Sequence, residues 1–217
     1  MHLGRERAAL TAGFAIAIAM QDAEARADAG LEPTSGRIEG DVTVVVGAGV
    51  SIVPRSPRAE AELRLRYLEV SGLFATYEDS VLPASASEPR RLLALGLELR
   101  PLFLFRWLKG LELRRERLDL LLDSIGFELG TALQQPAGET FGSHPGVQLG
   151  LGVELPLAAR ASGPWLGLHG GLRWSGDALA SGVVHGVDDR AAFLAITLAW
   201  HEVVSAHLVD AGDRAPP

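Results

Sequence analysis

From Ile38 onward the apolar residues fall at every second position. Val42, Val44, Val46, Ala48, Val50 and Ile52 share one parity, with Thr43, Gly47, Gly49 and Ser51 on the other. Residues 59–66 set Ala59, Ala61, Leu63 and Leu65 against Glu60, Glu62, Arg64 and Arg66. Leu93, Leu95, Leu97 and Leu99 alternate with Ala94, Gly96, Glu98 and Arg100. The same beat returns at 125–133, 147–157, 166–174 and 194–200. Side chains of a strand point alternately to its two faces, so each segment has one greasy face and one face of glycine or charge. Leucine is a modest strand former. Period outranks propensity here, because a leucine at every second residue would wind around a helix and leave it no apolar side.

Turn signals punctuate the pattern at Pro54–Pro57, Pro83–Pro89, Pro136–Gly138, Ala161–Pro164 and Asp188–Asp189. One stretch keeps a different time. Trp107, Leu108, Leu111, Leu118, Leu121 and Leu122 recur at helical spacing with Arg114, Arg115, Glu116, Arg117 and Asp119 between them. This predicts one short amphipathic helix between strands, at about 107–121.

The minority face decides the architecture. It carries Gly47, Gly49, Gly96, Gly126, Gly130, Gly150, Gly152, Gly167 and Gly171, interspersed with glutamate and arginine. Glycine on a solvated strand loses backbone entropy and packs nothing. In a narrow lumen it leaves room for long charged neighbours, which must pair because little water reaches them. The pattern therefore predicts an all-β, antiparallel up-and-down transmembrane β-barrel with the leucines facing lipid. The candidate lumen network is Arg64, Arg66, Glu98, Arg100, Glu128, Glu154, His169 and Arg173. The alternative is a secreted or periplasmic soluble β-sandwich or lipid-binding domain, with the leucines buried.

Composition narrows the choice. The net charge of −7 argues against nucleic acid as a partner. With no cysteine there is no disulfide frame, thiolate metal site or cysteine nucleophile. Lys109 is the lone lysine in the sequence. Residues 1–27 read as a signal peptide: a basic start, an apolar stretch from Ala8 to Met20, and small residues around Ala25 and Ala27. Residues 28–37 read as a flexible lead-in, 38–207 as the barrel and 208–217 as a polar tail.

The signal peptide, repeated strands such as Val147–Leu155 and the lumen charges together resemble the small outer-membrane β-barrel proteins of Gram-negative bacteria. The resemblance implies an outer-membrane location, eight strands and a monomer in contact with lipid. Phe74, Tyr77, Phe103, Phe105, Trp107, Trp165, Trp174 and Trp200 lie near proposed strand ends, where such barrels carry aromatic girdles. Such barrels usually close on a terminal aromatic, whereas this chain runs past Trp200 through His201 to a polar tail. Seven strands are plain in the sequence, and the pattern leaves the eighth to Ala178–His185 or to the long stretch 59–78.

Catalytic and metal motifs are sparse. The Gly47-Ala48-Gly49 and Gly150-Leu151-Gly152 pairs complete no phosphate loop. The histidines at 2, 144, 169, 185, 201 and 207 show no metal-ligand spacing, and no cofactor is implied. Ser143-His144, and Ser175 with His169 and Glu154, are the parts of a possible lipid-modifying hydrolase. The favoured function is non-enzymatic: a small outer-membrane barrel with a structural, adhesive or weakly pore-forming, porin-like role. Its connections at 79–90, 136–146 and 176–189 would meet any ligand or protein partner.

Overall fold

A computed structural model of the chain describes residues 41–53, 56–81, 89–111, 113, 115–135, 140–142, 145–181 and 190–206. The expected signal peptide, lead-in and polar tail lie outside them. The elements run β1 (Val42–Ile52), β2 (Pro57–Tyr67), β3 (Ser71–Ser80), β4 (Arg91–Leu99), α1 (Pro101–Lys109), α2 (Glu116–Asp123), β5 (Gly126–Gln135), β6 (Gly146–Pro156), β7 (Gly163–Trp174), α3 (Gly176–Ser181) and β8 (Arg190–Val204). Each strand pairs antiparallel with its neighbours in sequence, and β8 returns to β1 to close the barrel. The sandwich alternative falls, since one sheet closes on itself.

The missing strand is β3, inside the 59–78 stretch rather than at Ala178–His185. The β2–β3 turn hides it from pattern reading. Leu68 and Glu69 take positive φ values of 49° and 56°, and Val70 N–H donates to Tyr67 O at 3.1 Å. That is the backbone of a primed hairpin turn, which Asn-Gly ordinarily signals. Here no glycine or proline marks it.

Closure with an even strand number puts the start of β1 beside the end of β8, Val42 opposite Val204. This proximal end also holds the turns at 68–70 and 157–162 and the helical segment 100–125. The ends of β1, β3, β5 and β7 and the starts of β2, β4, β6 and β8 lie at the opposite, distal end.

The expected helix at about 107–121 is two helices with a break between them. Proline at the first position of α1 starts it with its φ already set, and Gly110, in the left-handed region at φ 61°, ends it. The pattern had merged the end of one helix with the start of the next.

The outer wall is leucine. Leu65, Leu73, Leu95, Leu97, Leu129, Leu151 and Leu198 all stand outward and exposed, while Arg64, Arg66, Glu98, Glu128 and Glu154 are buried. A globular protein in water has the reverse arrangement.

Three girdle assignments need correcting, two of them on strands. Phe74 points into the lumen beneath the Arg64 guanidinium, 5.7 Å from its ring centre. Trp165 is likewise buried, stacked on His201 with ring centres 4.5 Å apart. Both have inward parity, which outranks nearness to a strand end. Phe103, on α1, is also buried, whereas Tyr77, Phe105 and Trp107 are exposed.

Candidate functional site: the charged lumen

An eight-stranded barrel has an interior just wide enough for side chains to fill. Register determines which ones fit. Gly47 lies opposite Glu62, Gly150 opposite Glu128, Gly152 opposite His169 and Gly167 opposite Glu154. A Cβ on Gly47 would sit 2.6 Å from Glu62 Oε1, and one on Gly152 2.6 Å from His169 Nδ1. The glycine face is the space into which the charged side chains fold.

The predicted network residues divide into two groups. In the proximal half, Arg64 crosses the barrel from β2. Its Nη1 donates to Glu128 Oε1 on β5 at 2.7 Å and to Glu98 Oε2 on β4 at 3.2 Å, while Nε donates to Glu62 Oε2 at 2.9 Å. Its Nη2 lies 3.1 Å from His169 Nδ1 on β7, which is 2.9 Å from Glu128 Oε1. One layer nearer the proximal mouth, Arg66 donates to Glu154 at 2.6 Å and to Glu98 at 3.2 Å. Arg100 bonds Glu98 at 2.8 Å, Glu69 at 2.6 Å and also Glu154. Seven of the eight predicted residues thus meet in one ion-pair network.

Arg173, the eighth, stands apart in the distal half. It donates to Glu78 at 2.6 Å and to Gln148 at 2.7 Å, and its guanidinium stacks 3.9 Å from the Phe193 ring centre. Arg58 lies 3.7 Å from Glu78. Glu60, directly opposite Glu78 in the β2–β3 register, makes no ion pair among the described residues. Between the halves, Phe74, Leu92 and Ala94 form a small apolar cluster.

Sequence reasoning left Arg58, Glu60, Glu62, Glu69, Glu78, Gln148 and His201 off the network. The first three share parity with Arg64 and Arg66, and Gln148 and His201 have inward parity on β6 and β8. Parity applied without exception would have found these five. Glu78 sits on the strand that the pattern missed.

The proximal mouth is covered. Leu120 of α2 is buried against Ala161 and Trp165, with Val203 beside them. Ser124 Oγ donates to Glu154 O and accepts from Glu154 N–H, both at 2.8 Å. Arg106 of α1 donates to Asp123 at 2.6 Å and to Asp119. Burial by itself would raise the Asp119 pKa. The N–H groups of Leu113 and Arg115 and the Arg106 guanidinium outweigh it and hold that carboxyl below its ordinary value.

The candidate set Ser175, His169 and Glu154 does not assemble. Ser175 Oγ caps α3 by accepting from Ala178 N–H at 3.0 Å. It stands six residues along the chain from His169, about 20 Å at strand rise. His169 bonds Glu128, and Glu154 is held by Arg66 and Arg100. Ser143-His144 lies outside the described residues. Among those residues no group of three His, Asp or Glu side chains is arranged to hold a metal ion.

These observations define a class: a closed, eight-stranded antiparallel barrel with an apolar outer wall and a lumen crossed by ion pairs. No family model matches the chain, and no curated protein matches its sequence significantly. Among solved structures, that of Neisserial surface protein A covers 75% of this chain and 96% of its own, at 9% identity and a TM-score of 0.38. A likeness of that strength carries no argument, so the class rests on this chain's own strand pairing.

Proposed function

We propose that the protein is a small outer-membrane barrel with a sealed lumen, a structural or adhesive scaffold that presents its distal connections to the surroundings. The observation that carries this reading is the pairing of opposites: leucine outside, and arginine spanning the inside. An exposed leucine wall is costly in water, at roughly 25 cal/mol per Å² of apolar surface, and costs nothing in hydrocarbon. The Arg64, Arg66 and Arg100 guanidiniums lie across the bore and tie nonadjacent strands together. An ion would have to displace paired charges to pass, which supports a scaffold over a pore.

The end where β1 begins and β8 ends would face the periplasm, and the opposite end of the barrel the outside. A monomer suffices, since closure leaves no strand edge to pair. Purified protein reconstituted in a planar bilayer is expected to give no steady single-channel currents, and its gel migration to change on heating. Porin-sized currents would overturn the sealed lumen. Recovery of the protein as a detergent-free soluble monomer would overturn the membrane reading.

A further inference from the structure

The connection between β4 and β5 has two unlike halves. α2 turns toward the barrel mouth, with Leu120 in the Trp165 contact and Ser124 on the β6 backbone. α1 does not. Of its nine residues only Phe103 is buried, none is acidic, and its outward arc carries Leu104, Phe105, Trp107 and Leu108. Phe105 is 55% exposed, Trp107 50% and Leu108 69%. Such a contiguous apolar patch marks a surface built to be covered.

The position of α1 identifies the cover. Leu99, the last residue of β4, stands outward at 50% exposure, and its β5 partner Phe127 at 54%. Arg100 then turns into the lumen, and Pro101 begins the helix. The leucine wall therefore passes into the α1 face with no outward polar residue between them. Beyond the patch along the chain, Lys109, Arg115 and Arg117 are exposed. An apolar face with aromatic residues, next to a bilayer-spanning wall and followed by cations, is the pattern of a helix lying in a lipid interface.

We propose that α1 lies in the boundary between headgroups and acyl chains of the phospholipid leaflet at the proximal end, while α2 remains on the barrel mouth. Phe105, Trp107 and Leu108 enter the leaflet, and the cations that follow meet lipid phosphates. The hairpin then pins the cover over the lumen to the membrane itself, through the Arg106 bonds to Asp119 and Asp123. The proposal rests on the membrane reading above, and its test must separate the two.

The chain has no cysteine, so single cysteines take a spin label without background. Labels at Leu108→Cys, Leu97→Cys and Glu116→Cys, in protein reconstituted into phosphatidylethanolamine vesicles with a minority of phosphatidylglycerol, are compared for collision with oxygen and with a water-soluble nickel chelate. Leu97 is expected deep in lipid, Leu108 at interfacial depth with oxygen favoured over nickel, and Glu116 in water. A Leu108 label as open to nickel as Glu116, while Leu97 stays in lipid, overturns the placement of α1 alone. A Leu108 label shielded from both reagents points to a protein partner or second copy and overturns it too. A nickel-accessible Leu97 label overturns the membrane reading and this proposal with it.

Discussion

Replacing Arg64 with methionine would remove the centre of the proximal network and leave a side chain of comparable reach. The consequences differ among its partners. Glu98 keeps Arg66 at 3.2 Å and Arg100 at 2.8 Å. Glu128 keeps His169 at 2.9 Å. Glu62 keeps only a distant His169 contact of 3.9 Å. The variant therefore strands one buried carboxylate, and breaking a buried pair by removing one partner costs about 3–5 kcal/mol. Adding Glu62→Gln removes the stranded charge and is expected to return more than half of that loss. A double-mutant cycle measured by urea unfolding of vesicle-reconstituted protein, followed by tryptophan fluorescence, gives the coupling directly. A single-variant loss below about 1 kcal/mol would refute the reasoning, because it would mean that water screens the lumen as it screens a surface pair.

Three further outcomes follow from the geometry. Gly152→Ala places a Cβ 2.6 Å from His169 Nδ1, the ring nitrogen that Glu128 and Arg64 contact, and is expected to destabilise by about 1–3 kcal/mol in the same unfolding assay. Leu68→Gly relieves a left-handed φ of 49° on a branched side chain and should stabilise by about 1 kcal/mol, read as a higher urea midpoint. Asp119 has a depressed pKa in the folded protein, so its contribution is present above the unfolded-state value of about 3.9 and is lost as pH falls through the lower folded value. Amide exchange in the α1–α2 connection should therefore rise below about pH 4, and Asp119→Asn should show that faster exchange already at neutral pH.

Much of this fold could be read from parity alone, because a barrel that turns lipid outward and charge inward writes its two faces as two alternating alphabets. Strand β2, Pro57–Tyr67, reads Ala-Glu-Ala-Glu-Leu-Arg-Leu-Arg from Ala59 and was transparent. Strand β3 was not. Its inward face mixes Gly72, Phe74, Thr76 and Glu78, its outward face runs from Leu73 to Asp79, and the turn before it is made by Leu68 and Glu69. Neither contrast nor punctuation marked it. The α1–α2 break was obscured for a related reason. A helix apolar around most of its circumference shows no stripe, and the leucines of α2 completed a false period across Gly110. Parity put Arg64, Arg66, Glu98, Glu128 and Glu154 on one face of their strands, yet which guanidinium meets which carboxylate depends on register across nonadjacent strands. Pattern within one strand carries no information about that.

The central claim is that the leucine wall faces hydrocarbon. Leu95 lies at the middle of β4 and points outward, 45% exposed. Leu95→Arg, measured by urea unfolding in phospholipid vesicles, is expected to cost about 2–4 kcal/mol, the penalty for a cation at the bilayer midplane. A change within about 0.5 kcal/mol of zero, as for a substitution on a solvated surface, would contradict the account.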